Sequence, residues 1–328
     1  MAGYMSKLDI YTPADLADMT LVREGETKLG QQMSTVSDLE ALKAHPAKFV
    51  LIGLPEDIGV RANGGKAGAA GTWAPSLKAL CNIQCTEKLL GESLLVLGHL
   101  DFTEEMVNSQ VADTEGLRSL VRDIDEGVFS LLLQIFESGK TPLVIGGGHN
   151  NAYPILKALS THRKKGINVI NIDAHADFRA LEGRHSGNGF SYAFADGFLD
   201  KYAICGLHEN YNSQYIIDQL NAHPDRISYT FFEDFLRAKS DVNIAFRQAL
   251  NFTSGTTGLE IDLDSMAGVS ASAGSLSGFG AEQVRSMIYQ AKGTPLAYLH
   301  ICEGIAETQP LLPRLISYLI SDFVKAQS

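Results

Sequence analysis

Eight short apolar runs punctuate this chain, at residues 49–52, 94–97, 142–145, 169–172, 202–205, 229–231, 259–262 and 296–299. Most are continuously apolar rather than alternating, which is how strands buried on both faces of a parallel sheet read. Helical patterns lie between them. The clearest places Val121, Ile124, Val128, Leu131, Leu132 and Ile135 at steps of three and four and stops at Gly139. Thr12-Pro13 reads as the cap and first residue of an early helix, and Pro154 as the opening of the helix that follows Asn150. Alternation on this scale predicts a single three-layer doubly wound α/β domain around a parallel sheet of about eight strands. That domain is assigned to residues 46–328, with the polar residues 1–45 as an N-terminal extension packed on it. The longest irregular stretch is the Gly- and Ala-rich segment 59–71, and a loop of that length in a compact domain is usually functional.

Charge narrows the partners. The 27 Lys and Arg against 38 Asp and Glu give a net charge of −11, and the longest basic run is Arg163-Lys164-Lys165. An electrostatic footprint for nucleic acid is missing. No apolar run approaches the roughly 18 residues of a membrane helix, and residues 1–7 hold no signal-peptide core, so a cytoplasmic protein without a membrane partner is expected. Cys81, Cys85, Cys205 and Cys302 are too few for a disulfide scaffold. Cys81 and Cys85 are one residue too far apart for Cys-x-x-Cys, so all four read as buried thiols.

Three of the predicted strands end in metal-binding groups. Gly146-Gly147-Gly148-His149-Asn150 follows the third run, Asp173-Ala174-His175-Ala176-Asp177 the fourth, and Asp262-Leu263-Asp264 closes the seventh. In extended chain, alternate residues share a face, so Asp173, His175 and Asp177 would point one way, as would Asp262 and Asp264. The carboxyl ends of parallel strands are where such sheets build their sites. Four carboxylates and two imidazoles without thiolate suit hard or borderline divalent ions such as Mn²⁺, and their charges balance two of them. Two ions roughly 3.5–4 Å apart can share a water and lower its pKa, which is a hydrolase's route to a nucleophile. A phosphate loop is excluded at 59–66, because Ala67 follows Lys66 where Ser or Thr is required.

In order and spacing, these motifs together with Ser186-Gly187-Asn188 resemble those of the ureohydrolase superfamily of arginases, agmatinases and formimidoylglutamases, from about residue 48 onward. The segment 57–69, with Gly59-Val60 and Asn63, resembles the formimidoylglutamase form of its loop, and Gly148 before His149, Arg179 and Phe190 lean the same way. The resemblance implies two Mn²⁺ per subunit on His149, Asp173, His175, Asp177, Asp262 and Asp264, and a cationic amidine as the small-molecule substrate. It implies a catalytic Asp177 that moves a proton and a Glu303 that pairs with the amidinium. Arg61, Asn63, Arg179, Ser186 and Asn188 are the implied substrate contacts, and a homo-oligomer, trimer or hexamer, is expected.

The expected reaction is hydrolysis of formimidoyl-L-glutamate to L-glutamate and formamide. Phe190 stands where arginases carry a proton-transferring histidine, which disfavours arginase itself and leaves His185 and His208 as further acid/base candidates. Residues 267–271 lack the Asp-Pro that commonly follows Asp-x-Asp. An agmatinase-like hydrolase releasing urea and a non-catalytic scaffolding member are the alternatives; six intact ligand positions speak against the second, since clustered carboxylates are expensive to keep without a cation.

Overall fold

A computed structural model describes residues 7–328 and turns every one of the eight runs into a strand. Nine strands are present among the described residues: β1 (Leu8–Ile10), β2 (Phe49–Gly53), β3 (Leu94–Leu100), β4 (Thr141–Ile145), β5 (Ile167–Ile172), β6 (Leu199–Leu207), β7 (Ile227–Phe231), β8 (Thr257–Asp262) and β9 (Leu296–Cys302). They form one sheet in the order β1-β3-β2-β4-β9-β8-β5-β6-β7. All neighbours are parallel except β1, which runs antiparallel to β3 with Leu8 opposite Leu100. The sheet is therefore mixed, with one strand more than the apolar runs predict. Three residues at an edge, none of them buried, leave no continuous apolar run to read.

Side chains alternate between two cores, one on each face of the sheet. Phe49 and Leu51 of β2 and Leu143 and Ile145 of β4 enter one; Val50, Ile52 and Val144 enter the other. The helices Trp73–Cys81, Ala281–Gln290 and Leu312–Gln327 close the first face, and Thr114–Glu137 and Ala152–Arg163 close the second. The periodic residues Val121 to Ile135 all lie buried in Thr114–Glu137, whose N-terminus is capped by Asp113 accepting from the Gly116 amide. Past its end, Gly139 takes a φ of 77°, a left-handed conformation that glycine adopts without steric cost. Thr12 caps the helix Pro13–Met19 as its sequence predicts. Pro154 sits in the first turn of Ala152–Arg163, two residues inside its start.

The Gly- and Ala-rich segment is less irregular than its composition predicts. Residues Ile58–Ala62 are helical, Ala69–Thr72 form a 3₁₀ turn, and only residues 63–68 lack a regular element. Asp57 ties the two pieces together, pairing with Arg61 one turn on (3.0 Å) and accepting from the Gly68 amide (2.8 Å). Among the described residues no helix is long and apolar enough to cross a membrane. Cys81, Cys205 and Cys302 are buried, Cys85 is half-buried, and all four are free thiols.

Candidate metal centre

Four neighbouring strands in the middle of the sheet, β4-β9-β8-β5, deliver one acidic or imidazole group each from their carboxyl ends. His149 follows β4, Glu303 follows β9, Asp262 ends β8 and Asp173 follows β5. Two of the three glycines before His149 are required by space: a Cβ on Gly147, which has a φ of 75°, would stand 2.4 Å from the Asn151 side-chain nitrogen, and one on Gly148 2.5 Å from the Asn150 side-chain oxygen. Buried Glu56 organises this turn. One of its oxygens accepts from the Gly148 amide and from the side chains of Asn150 and Asn151, while the other accepts from the Ile58 amide.

His149 is fully buried, and its Nδ1 lies 2.8 Å from Asp177 Oδ2, 3.1 Å from Asp262 Oδ2 and 3.2 Å from Asp173 Oδ2. Neither ring nitrogen has a hydrogen-bond partner. On the other side of Asp173, His175 Nδ1 lies 3.6 Å from Oδ1 and 3.9 Å from Asp264 Oδ2. Donor atoms of Asp262, Asp264 and Glu303 lie within 4.8 Å of one another. Asp173 and Asp262 therefore belong to two adjoining donor groups. Turns, not the pleat of an extended chain, achieve this convergence. Asp173 accepts from the His175 amide (2.7 Å) and Asp262 from the Asp264 amide (2.8 Å), and Leu263–Ser265 is a 3₁₀ turn. Asp177 sits at a φ of 46° and Glu303 at 65°.

Five carboxylates packed this closely are poorly tolerated without cations. Burial and then Asp173 push the Asp262 carboxyl up to about 6; burial and then Asp173 raise Asp177; burial and then Asp262 push Asp264 and Glu303 well above the usual carboxylate range. Burial opposes charge on the two imidazoles, yet Asp173 and its neighbours lift His175 to about 10, and the groups around His149 raise it well above its ordinary value. Asp173 is the exception: burial would raise it, but His149 and His175 hold it low. An unpartnered imidazole aimed at three carboxylate oxygens is the donor set of a divalent cation, so the residues fit a bound metal.

Beside this cluster opens a cavity of about 610 Å³ lined by His175, Asp177, Asp262, Asp264 and Glu303. Asn63, Arg179 and Ser186 line its wall, where Arg179 donates to Asn63 Oδ1 (3.2 Å) and pairs with Glu182 (3.2 Å). Two of the predicted substrate contacts lie elsewhere. Arg61 pairs with Asp57 and donates to the Ser109 carbonyl. Asn188 is fully buried and spends its amide on Arg184, the His185 amide and the carbonyls of Ala180 and Gly183. His185 is a cap, accepting from the Gly187 amide, and His208 is stacked between Tyr211 and Phe232. Phe190, at 0% exposure, packs edge-on against His149 and stacks on Tyr202.

Sequence reasoning missed several contributors. Ser272 contacts Glu303 Oε2 and donates to Asp264 (3.3 Å), and the Ala273 amide donates to the same Asp264 carboxylate (3.0 Å). Tyr211 stacks on His175 with ring centres 5.4 Å apart. Nothing in the local sequence marks Ser272 or Tyr211, whereas Glu260 inside an apolar strand was a visible anomaly.

The sequence model of the arginase family matches residues 47–303. A formimidoylglutamase of Hahella chejuensis is 29% identical over 275 residues, covering 79% of this chain and 78% of its own length. A formimidoylglutamase of Chromobacterium violaceum is 32% identical over 192 residues, covering 55% of each chain. Among solved structures, a Trypanosoma cruzi formiminoglutamase with Mn²⁺ superposes with a TM-score of 0.74 at 22% identity, covering 92% of this chain and 98% of that one.

Proposed function

This chain belongs to the arginase family, and from that premise we propose that it is a dinuclear manganese hydrolase converting formimidoyl-L-glutamate and water to L-glutamate and formamide. The convergence of His149 on Asp173, Asp177 and Asp262 carries the reading. His149, Asp173, Asp177 and Asp262 would hold one ion, and Asp173, His175, Asp262 and Asp264 the other. Bound there, Mn²⁺ supplies Lewis acidity that makes water nucleophilic at neutral pH and stabilises developing negative charge. Four ligand carboxylates balance two divalent ions, so Glu303 is left over as a negative charge for a cationic amidinium.

The chain's own groups account for the remaining steps. Glu303, fixed by an amide hydrogen bond from His149 to its Oε1 (2.9 Å) and by Ser272, holds the amidinium with its carbon over the cluster. Asp177 faces both His149 and the cavity; it takes a proton from the attacking water and returns it to the departing nitrogen. The tetrahedral carbon then expels the glutamate amine and leaves formamide. Arg179, with Asn63 and Ser186 beside it, meets the substrate's carboxylate end. The relatives named formimidoylglutamase support this substrate over a guanidino compound. Residues 46–328 form the catalytic unit in this reading, with 1–45 packed on it, and the subunits assemble as a trimer or hexamer.

The test is to load the purified protein with Mn²⁺, count the ions bound, and assay formamide and urea release from formimino and guanidino compounds. Formamide from formimidoylglutamate with two ions per chain is expected. Urea as the product would replace the substrate assignment, and no turnover with any compound would overturn the enzyme.

A further inference from the structure

Behind His149, on the side away from the carboxylate cluster, lies a second buried polar group that the proposed chemistry does not use. Glu260 Oε2 stands 3.5 Å from His149 Nε2, the ring nitrogen that has no hydrogen-bond partner. Glu260 is fully buried in the middle of β8 and is gripped from the neighbouring strand. Its Oε1 accepts from the Tyr298 hydroxyl (2.6 Å), and its Oε2 lies 2.6 Å from His300 Nδ1. The register explains the grip: Glu260 pairs directly with His300 on β9, and Tyr298 precedes His300 by two residues on the same face. Two residues further along β8, on that same side of the strand, is Asp262.

One strand thus supplies a carboxylate on each side of a single imidazole. Asp262 faces Nδ1 and Glu260 faces Nε2. Of the other groups near the back of the ring, His300 already spends its Nδ1 on Glu260, and the rest are poor acceptors. Cys302 turns its thiol toward the Ile261 carbonyl, and Phe190 offers a ring edge. A fully buried carboxylate in an apolar strand is costly unless something uses it, and Tyr298 and His300 hold it in one position.

Resting on the metal reading above, we infer that Glu260 is a positioning residue: it accepts the Nε2 proton of His149, fixing the tautomer that leaves Nδ1 free and aimed at the ion shared with Asp173, Asp177 and Asp262. Carboxylate behind histidine behind metal is a general way to fix ring orientation and raise ligand basicity, and its loss usually costs about 10- to 100-fold in metal affinity. Tyr298 and His300 form the outer support of the same device.

Mn²⁺ titration of the full-length, metal-stripped protein by calorimetry, with bound ions counted, tests the inference without any substrate. In E260Q the step belonging to the His149 ion is expected to weaken by about 10- to 100-fold, while the step belonging to the His175 and Asp264 ion stays within about twofold. A general packing defect would weaken both. The double variant H149N/E260Q is expected to bind no worse than H149N, because Glu260 acts through that ring. Y298F, which loosens Glu260 but keeps its charge, should shift the same step by a smaller factor, and decides the matter if E260Q does not fold. Unchanged affinity in E260Q or, failing that, in Y298F would overturn the positioning role and leave the metal centre standing. Wild-type protein that takes up no Mn²⁺ would bring down both.

Discussion

Asp177 and Glu303 arrive at the same cavity from different strands, and both do so on left-handed backbone, with φ of 46° and 65°. An L residue gives up roughly 1–2 kcal/mol in that conformation. The chain accepts this cost at the two positions where a carboxylate must turn out of a strand end toward an open volume. Buried charge and backbone strain coincide at both, a pairing typical of functional sites; the other two left-handed non-glycine residues, Lys164 and Ala238, lie just past helix ends.

Replacing Asp177 with glycine should therefore separate stability from function. D177G removes a crowded carboxyl and relieves the backbone, so the metal-free protein is expected to melt at a higher temperature than wild type. Formamide release should fall by on the order of 10²–10⁴-fold, the usual scale for a lost proton-transfer group. Paired melting curves and turnover assays check this, and a lower Tm for metal-free D177G would contradict the strain argument.

Metal removal should be costly and reversible. With five carboxylates around two imidazoles, chelation is expected to lower Tm, and Mn²⁺ at 100 times its Kd should restore about 2.7 kcal/mol for each independent site. Differential scanning fluorimetry with chelator followed by Mn²⁺ measures the gain. Mg²⁺ should restore less, because imidazole ligands favour the softer ion. Equal recovery with both ions would count against the donor-set argument.

Arg179 and Arg61 should behave oppositely. Arg179 lines the cavity wall, so R179A is expected to raise KM for formimidoylglutamate by about 10- to 100-fold, from a charged hydrogen bond of roughly 1.5–3 kcal/mol, with kcat nearly unchanged. Arg61 is spent on Asp57 and Ser109, so R61A should lose about 1–3 kcal/mol of stability and leave KM within about twofold. Steady-state kinetics beside denaturant melts would expose an exchange of these roles.

His185 should make stability fall on the acid side. Burial first, with Arg118 and Arg179 nearby, outweighs Glu182 and holds its imidazole down at about 4, against 6.5 for the free group. The folded state therefore resists protonation that the unfolded chain accepts. Its contribution is complete above about pH 6.5 and drains away as pH falls toward 4. H185N keeps an acceptor for the Gly187 amide and loses the titration, so the wild-type advantage over H185N should shrink across that window. A difference that is flat with pH would refute it.

What the sequence discloses depends on how local the signal is. Most of β2 to β9 are legible because they are runs of apolar residues buried on both faces, β7 with only Ile227 buried being the weakest, and His149, Asp173, His175, Asp177, Asp262 and Asp264 are legible because each follows or ends such a run. β1 is not, since its pairing with residues 98–100 is made across a distance that periodicity does not sense. Arg61 and Asn188 illustrate the opposite limit. Their positions fit a motif, yet Asp57 and Arg184 have already engaged their polar groups. Ser272 and Tyr211 reach the centre only through the folding of loops whose composition is ordinary.

The short antiparallel strand at the margin has one more implication. An unpaired sheet border is a template for a foreign backbone, and chains guard against that by making the outermost segment brief or charged. With Leu8–Ile10 laid against β3, that border offers a newcomer only three residues, one of them Asp9, to zip onto. Deleting this segment should bare the Gly98–Leu100 end of β3, beyond the stretch that Ser34 already covers, and invite lateral pairing there.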